Sequence, residues 1–152
     1  MGEIFPEEVQ TDSAAATRAW GSRLAGHLGA GSVVLLFGEL GAGKTCLVKG
    51  IAAGLGLDPR RVHSPSFIMV NCYEGQPPLN HVDLYRLEEG EDFSDLGLEE
   101  LFRGTGVTVV EWAERLPVQA RPLPRWEIEL EHAGADNRRL RLHILSAHQP
   151  FR

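Results

Sequence analysis

One segment of the chain constrains its fold more than any other, because an apolar run, a glycine-rich loop and an amphipathic stretch follow one another directly. The apolar run SVVLLF, residues 32–37, is continuous and rich in branched side chains. Such a run is typical of a strand buried on both faces, as in a parallel sheet that helices cover. After the loop GELGAGKT, the stretch CLVKGIAAGLGL carries apolar residues at helical spacing. This order predicts an α/β protein, and the length favours a single domain over residues 1–152.

Further helices and strands are predicted on both sides of this segment. Upstream, a helix is expected from about Asp12 to His27, with Thr11, Asp12 or Ser13 as its N-cap. Downstream, the sequence predicts strands in SFIMVNCYEG, from about Phe67, in LNHVDLYRL and in GVTVVEW, with one or two short helices in EEGEDFSDLGLEELF. The final segments RWEIELEH and RRLRLHIL alternate around the turn AGADN, so we expect two strands at a sheet edge.

The glycine-rich loop matches the phosphate-binding pattern G-x-x-x-x-G-K-[ST] in full. Its glycines let successive backbone N–H groups point inward, and the following helix brings the positive end of its dipole to the same point. Lys44 can reach the outer phosphates of a nucleotide, and the Thr45 hydroxyl can bind Mg²⁺. The alternative is a glycine-rich turn with an incidental lysine. The predicted nucleotide-binding residues of the loop are Gly38, Glu39, Leu40, Gly41, Ala42, Gly43, Lys44 and Thr45.

With this loop, the fold class can be stated more closely. We predict a P-loop NTPase-like three-layer sandwich, with a mostly parallel central sheet, helices on both faces and antiparallel strands at the edge.

Hydrolysis of a bound nucleotide needs a carboxylate near the magnesium ion, and two acidic residues are candidates. Asp83 ends the short run NHVD. Glu111 ends the more apolar run VTVV, so its side chain is expected at the carboxyl end of a strand, where α/β proteins bind ligands. Either residue could serve the metal or be an ordinary surface carboxylate. Together with Lys44, both are candidate catalytic residues.

Several nearby residues are open to two interpretations. In the segment VHSPSF, Ser64 and Ser66 flank a proline, and a hydroxyl from such a segment senses the γ-phosphate and Mg²⁺ in P-loop switches. A hydroxyl-rich connector is the plainer alternative. Trp112 packs either beside the nucleotide site or in the core. His81 is expected to be structural.

The charge balance bears on possible partners. The net charge is −6, whereas a domain that grips a nucleic-acid backbone by itself usually presents a basic surface. We therefore expect no autonomous tRNA or DNA binding. No apolar stretch approaches the length of a membrane span, and the start of the sequence lacks the pattern of an export signal. We therefore expect a cytoplasmic protein. The two cysteines form no C-x-x-C pair, and in a reducing compartment they are expected to be free thiols.

Three classes of P-loop protein are disfavoured by what the sequence lacks. There is no N-K-x-D segment for reading guanine, no L-S-G-G-Q signature of a transporter ATPase, and no arginine-rich lid of the kind that small-molecule kinases carry. An ATP-hydrolysing switch fits best. A small-molecule kinase and a nucleotide-sensing module without essential hydrolysis remain as alternatives.

Five motifs in this order and spacing resemble the bacterial TsaE (YjeE) family: GELGAGKT, HSPSF, HVDLYRL, GLEELF and VVEWAERLP. The resemblance covers roughly residues 11 to 132 and is far more specific than the phosphate loop alone. Members of that family are small P-loop ATPases required for the threonylcarbamoyl modification of the adenosine next to the anticodon of tRNA. They act with TsaD and TsaB subunits, while TsaC makes the threonylcarbamoyl-adenylate intermediate.

The resemblance implies roles for particular residues. ATP would be bound through Glu39 to Lys44, with Thr45 and Glu111 at Mg²⁺ and Asp83 needed for turnover. The segment Ser64 to Phe67 matches a proposed switch, and the adenine pocket would draw on residues around Thr11 to Thr17.

The chain departs from the family pattern at two positions in the site. Ser66 replaces a threonine and keeps its hydroxyl. Cys46 replaces the second threonine of G-K-T-T, which weakens or removes a side-chain contact to the α-phosphate. The implied partners are TsaD and TsaB type proteins, with tRNA reached only through them.

Overall fold

A computed structural model describes residues 7–39, 41–65, 69–88 and 96–146. The strands are β1 (Glu8–Thr11), β2 (Val33–Phe37), β3 (Val70–Tyr73), β4 (Leu79–Asp83), β5 (Val107–Glu111), β6 (Arg125–His132) and β7 (Arg138–Leu145). The helices are α1 (Ala14–Ala25), α2 (Lys44–Gly54) and α3 (Leu98–Arg103). Short 3₁₀ turns occur at Pro59–Arg61, Ala113–Arg115 and Val118–Ala120.

The seven strands form one sheet in the order β1-β7-β6-β2-β5-β4-β3. The four central strands, β6, β2, β5 and β4, run parallel to one another. Antiparallel pairing is confined to the two sides, where β7 joins β6, β1 joins β7 and β3 joins β4. This confirms the predicted sheet, which is mostly parallel in the middle and antiparallel towards its edges.

The position of the last two strands differs from the expectation that both lie at an edge. β6 pairs with β2 on its other side, and β1 covers β7. The edge strand on that side is therefore β1, which the sequence did not predict because its four residues, EVQT, carry no apolar run.

On one face of the sheet, α1 and α2 pack against each other and against the strands. Trp20 and Leu24 of α1 and Leu47 and Ile51 of α2 are fully buried in this layer. The helices approach closely because Gly50 lies beneath α1, where an added Cβ would meet the Arg18 carbonyl oxygen at 2.3 Å. This contact fixes the position of α2, and with it the start of the helix at the phosphate loop.

The opposite face carries a second apolar cluster. Val33, Leu35 and Val110 of the sheet pack against Leu98 of α3 and Leu116. Helical segments thus lie on both faces, as the three-layer prediction requires. Among the described residues, no helix combines the length and apolar character needed to cross a bilayer.

The predicted element boundaries are shifted by a few residues at most. α1 begins at Ala14, with Ser13 as the N-cap whose hydroxyl accepts a hydrogen bond from the Ala16 amide at 3.0 Å. α2 begins at Lys44, within the glycine-rich loop motif, and ends at Gly54. β3 begins at Val70 rather than near Phe67, which lies outside the described residues together with most of the acidic segment, 89–95.

Candidate functional site

The phosphate loop joins the carboxyl end of β2 to the first turn of α2. Gly38, Gly41 and Gly43 have φ angles of 152°, 83° and 101°, conformations that L side chains rarely adopt. Gly43 caps α2 without a side-chain hydrogen bond to its first turn. The N-terminal amides of α2 therefore lack a competing side-chain acceptor, and the helix dipole favours an anion there. Leu40 lies outside the described residues.

Lys44 is folded back across this loop. Its Nζ donates hydrogen bonds to the carbonyl oxygens of Gly38 and Glu39, and it lies 3.6 Å from the ring centroid of Trp112. Burial lowers the pKa of the Lys44 ammonium, while the negative charges of Glu114, Glu111 and Asp83 oppose that shift. The cation is thus placed beside the loop and held by groups that a phosphate can replace.

The two candidate carboxylates lie side by side, because Asp83 and Glu111 are register partners at the last residues of β4 and β5. Both side chains are buried. Glu111 accepts from the Thr45 hydroxyl, with both carboxylate oxygens 3.0 Å from Oγ1. Asp83 accepts from the Ser64 hydroxyl and from the Tyr85 amide, each at 2.9 Å. Of the two, Glu111 is the residue in contact with the loop hydroxyl, and Asp83 is in contact with the segment after α2.

The remaining predicted nucleotide-binding residues are Cys46 and Ser66, and only Cys46 lies among the described residues. Cys46 turns its thiol towards α1, where Sγ donates to the Ala14 carbonyl oxygen at 3.4 Å. Ser66 lies outside the described residues, so the proposed switch segment is described only as far as Pro65.

A cavity of about 450 Å³ opens in front of the loop. Its walls include Gly43, Lys44 and Thr45 from the loop and Asp83, Glu111 and Trp112 from the strand ends. The volume lies in the range of small-molecule sites, and the wall combines a cation, two carboxylates and an aromatic ring. Within the described parts of the chain, no group of three or more His, Cys, Asp or Glu residues is arranged to hold a metal ion.

Four contacts of the site were missed or left open by the sequence. Glu114 accepts from the Gly38 amide at 3.1 Å, and Trp112 lies against Lys44 while also packing, partly buried, against the second apolar cluster. Arg138 of β7 flanks the loop, where a Cβ on Gly43 would lie 3.6 Å from its Nε. His81 contacts Glu111 at 2.5 Å.

The sequence left Trp112 open between the site and the core, and of the other three residues only His81 had a usable signal. It lies two residues before Asp83, and alternation along a strand puts both side chains on one face.

The parallel sheet with helices on both faces and the glycine loop between β2 and α2 define a P-loop NTPase-like protein. Comparison with known proteins refines this class. The chain matches the family model described as "Threonylcarbamoyl adenosine biosynthesis protein TsaE" over residues 11–140. The chain belongs to the TsaE family.

Individual relatives agree with this assignment. A tRNA threonylcarbamoyladenosine biosynthesis protein TsaE from Treponema pallidum is 46% identical over 118 residues, which cover 78% of this chain and 84% of the relative. A protein of the same name from Synechocystis is 50% identical over 107 residues, 67% of each chain. The crystal structure of Bacillus subtilis YdiB superposes with a TM-score of 0.77 at 35% identity, covering 91% of this chain and 85% of that one.

Proposed function

We propose that this protein binds and hydrolyses Mg–ATP in the cytoplasm to support threonylcarbamoyl transfer to the adenosine next to the anticodon of tRNA. It would act on a complex of TsaD and TsaB type proteins rather than perform the transfer itself. The observation that carries the proposal is the convergence of Lys44, the Thr45 hydroxyl and the Glu111 carboxylate at one mouth of the glycine loop. Membership of the TsaE family supports the tRNA part of the proposal.

The residues of the site fit a magnesium ion and a triphosphate. A hydroxyl and carboxylate oxygens are the hard ligands that Mg²⁺ prefers, and the ion normally completes its shell with phosphate oxygens and water. Thr45 and Glu111 would hold it, with Asp83 alongside. The bound ion would supply positive charge that neutralises the phosphates as the terminal bond breaks.

The residues of the chain would contribute binding and orientation. Lys44 would exchange its bonds to the Gly38 and Glu39 carbonyls for bonds to the outer phosphates, and the first amides of α2 would bind the phosphates from the other side. Asp83, bonded to Ser64, would couple the nucleotide to the segment after α2. That segment is the natural route by which the state of the nucleotide reaches a partner.

We expect turnover by the isolated chain to be slow. Among the described residues that line the cavity, Lys44 is the only cation. P-loop enzymes owe a large part of their rate to an arginine that approaches the transferred phosphate, and that residue is often supplied by another protein. A partner complex would therefore be needed for fast hydrolysis, in keeping with a switch.

The proposal is tested by replacing Lys44 in cells that depend on this protein for tRNA modification. Lys44→Ala should abolish the threonylcarbamoyl modification, measured by mass spectrometry of tRNA nucleosides. Lys49→Ala, on the same helix but outside the cavity wall, is the matched control and should retain it. Full modification with Lys44→Ala would refute the proposal.

A further inference from the structure

His81 is a buried polar residue that the proposed function does not use. It lies on β4 two residues before Asp83, and its side chain has no solvent exposure. Its Nε2 is 2.5 Å from Glu111 Oε2, itself in a side chain that is only 3% exposed. A buried imidazole in such a contact constrains the carboxylate more than a surface residue would, because the imidazole cannot exchange its partner for water.

The other ring nitrogen indicates which proton the imidazole carries. Within the described residues, Nδ1 of His81 is buried and has no hydrogen-bond partner. A proton on Nε2 gives the contact with Glu111 a donor, whereas a proton on Nδ1 would be a buried donor without an acceptor and would leave the bare Nε2 facing a carboxylate oxygen. The proton is therefore assigned to Nε2, from which it is donated to Glu111.

The bonds to Glu111 are unevenly divided between its two oxygens. The single Thr45 hydroxyl proton is shared between Oε1 and Oε2, and Oε2 also accepts from His81. If the Thr45 hydroxyl turns to a metal ion, the bond from His81 still fixes one oxygen and leaves the other without a protein donor among these contacts. The carboxylate keeps its orientation in the absence of the hydroxyl.

We propose that His81 is a positioning residue that holds the Glu111 carboxylate towards Thr45 and so sets the magnesium affinity of the site, not its grip on the nucleotide phosphates. This inference rests on the proposed function, since it assigns Glu111 to the ion. Residues that orient a metal ligand through a hydrogen bond commonly change metal affinity or activity by about 10- to 100-fold when they are replaced.

The test measures ADP binding to the purified full chain by calorimetry, in EDTA and across a range of Mg²⁺ concentrations. His81→Leu removes the donor at similar bulk, and we expect the Mg²⁺ concentration for half-maximal tightening to rise by about 10- to 100-fold. Binding in EDTA should stay within about twofold of wild type, because the loop amides and Lys44 are unchanged. His81→Gln, which places an amide donor near the Nε2 position, should recover most of the loss. His143→Leu, at an exposed position on β7, is the control and should behave as wild type.

A double-mutant cycle tests whether His81 acts through Glu111. In a Glu111→Gln background, His81→Leu should produce no further change in the Mg²⁺ dependence. An equal change in both backgrounds would overturn the proposal, as would wild-type Mg²⁺ dependence in a folded His81→Leu protein. An equal loss of ADP binding in EDTA and in Mg²⁺ would also overturn it, since that result indicates a purely structural role.

A further measurement uses the wild-type protein without nucleotide, so it does not require a variant to fold. Nitrogen-15 NMR of the nucleotide-free protein should show His81 protonated at Nε2 and bare at Nδ1, and the reverse tautomer would overturn the inference. If wild-type protein binds no ADP in either condition, the proposed function fails. If it binds with a clear Mg²⁺ effect that His81→Leu leaves intact, only the inference about His81 fails.

Discussion

Thr45 and Glu111 are 66 positions apart in the chain, yet both carboxylate oxygens lie 3.0 Å from the threonine hydroxyl. Thr45 is placed by the first turn of α2 and Glu111 by the last residue of β5, so two rigid elements set the distance. Sites built on helices and strands hold their geometry better than sites built on loops alone. At the scale of single residues, this pair is the part of the site that a single substitution tests most directly.

Glu111→Gln removes the charge of the carboxylate at constant size. We expect Mg²⁺-dependent ATP turnover to fall by about tenfold or more, because an amide is a poor ligand for Mg²⁺. Nucleotide binding in EDTA should change little. Phosphate release from ATP measures the effect, and the exposed Glu74→Gln is the control. Unchanged turnover in Glu111→Gln would exclude the carboxylate from the reaction.

Lys44 predicts a dependence of stability on pH. In the folded chain, burial lowers the pKa of Lys44 below its ordinary value of 10.5. The folded state therefore loses this proton at a lower pH than the unfolded state does. Between the two pKa values the unfolded state binds more protons, and the free energy of unfolding contributed by this group rises with pH. Denaturation of wild type and Lys44→Met should therefore diverge in favour of wild type as pH rises towards 10.5. A difference that does not change with pH would contradict this.

At the scale of elements, the packing of α1 on α2 determines where the phosphate loop can end. Gly50 has no room for a side chain, since its Cβ would meet the Arg18 carbonyl oxygen at 2.3 Å, and backbone atoms cannot move aside cheaply. The loop begins at the carboxyl end of β2 and ends at the first residue of α2, so a displacement of α2 would move Lys44 and Thr45 away from the strand ends.

Gly50→Ala should destabilise the protein by about 1–3 kcal/mol despite the better helix propensity of alanine, which is worth about 1 kcal/mol. Gly29→Ala is the matched control, because its Cβ would meet nothing within 4 Å. Urea denaturation of the two variants measures the difference. Equal midpoints for Gly50→Ala and wild type would show that the helices separate without cost.

The elements that could be predicted are those whose local pattern agrees with their final environment. β2 and β5 lie in the centre of the sheet, and their continuous apolar runs predicted both strands. The run of β5 also placed Glu111 at the carboxyl end of its strand. β1 was missed because its stability comes from pairing with β7 rather than from its own four residues. His81 and Glu114 were not assigned to the site because their contacts depend on strand register and on a turn after β5.

At the scale of the whole molecule, the chain carries a net charge of −6, and the described residues form a single sheet with a cavity at the phosphate loop. Neutralising the phosphates of a nucleic acid requires a surplus of Lys and Arg on one surface. From this charge we expect the chain to contact proteins rather than RNA, in line with the proposed role through partners.

The isolated chain should therefore show no measurable binding to tRNA at physiological salt. Fluorescence anisotropy with labelled tRNA checks this, and adding purified TsaD and TsaB type partners should bring the chain and the tRNA into one complex. Tight tRNA binding by the chain alone would mean that it recognises its substrate directly.

The central claim is that the glycine loop and Lys44 bind a nucleotide phosphate together with Mg²⁺. Calorimetric titration of the purified chain with ADP and Mg²⁺ tests it most directly. We expect saturable binding at one site that weakens by at least about tenfold, or 1.4 kcal/mol, in Lys44→Ala and persists in Lys49→Ala. The account would be contradicted if the wild-type chain gave no heat of association at any of several temperatures. Several temperatures are needed because the binding enthalpy can be zero by accident at one of them.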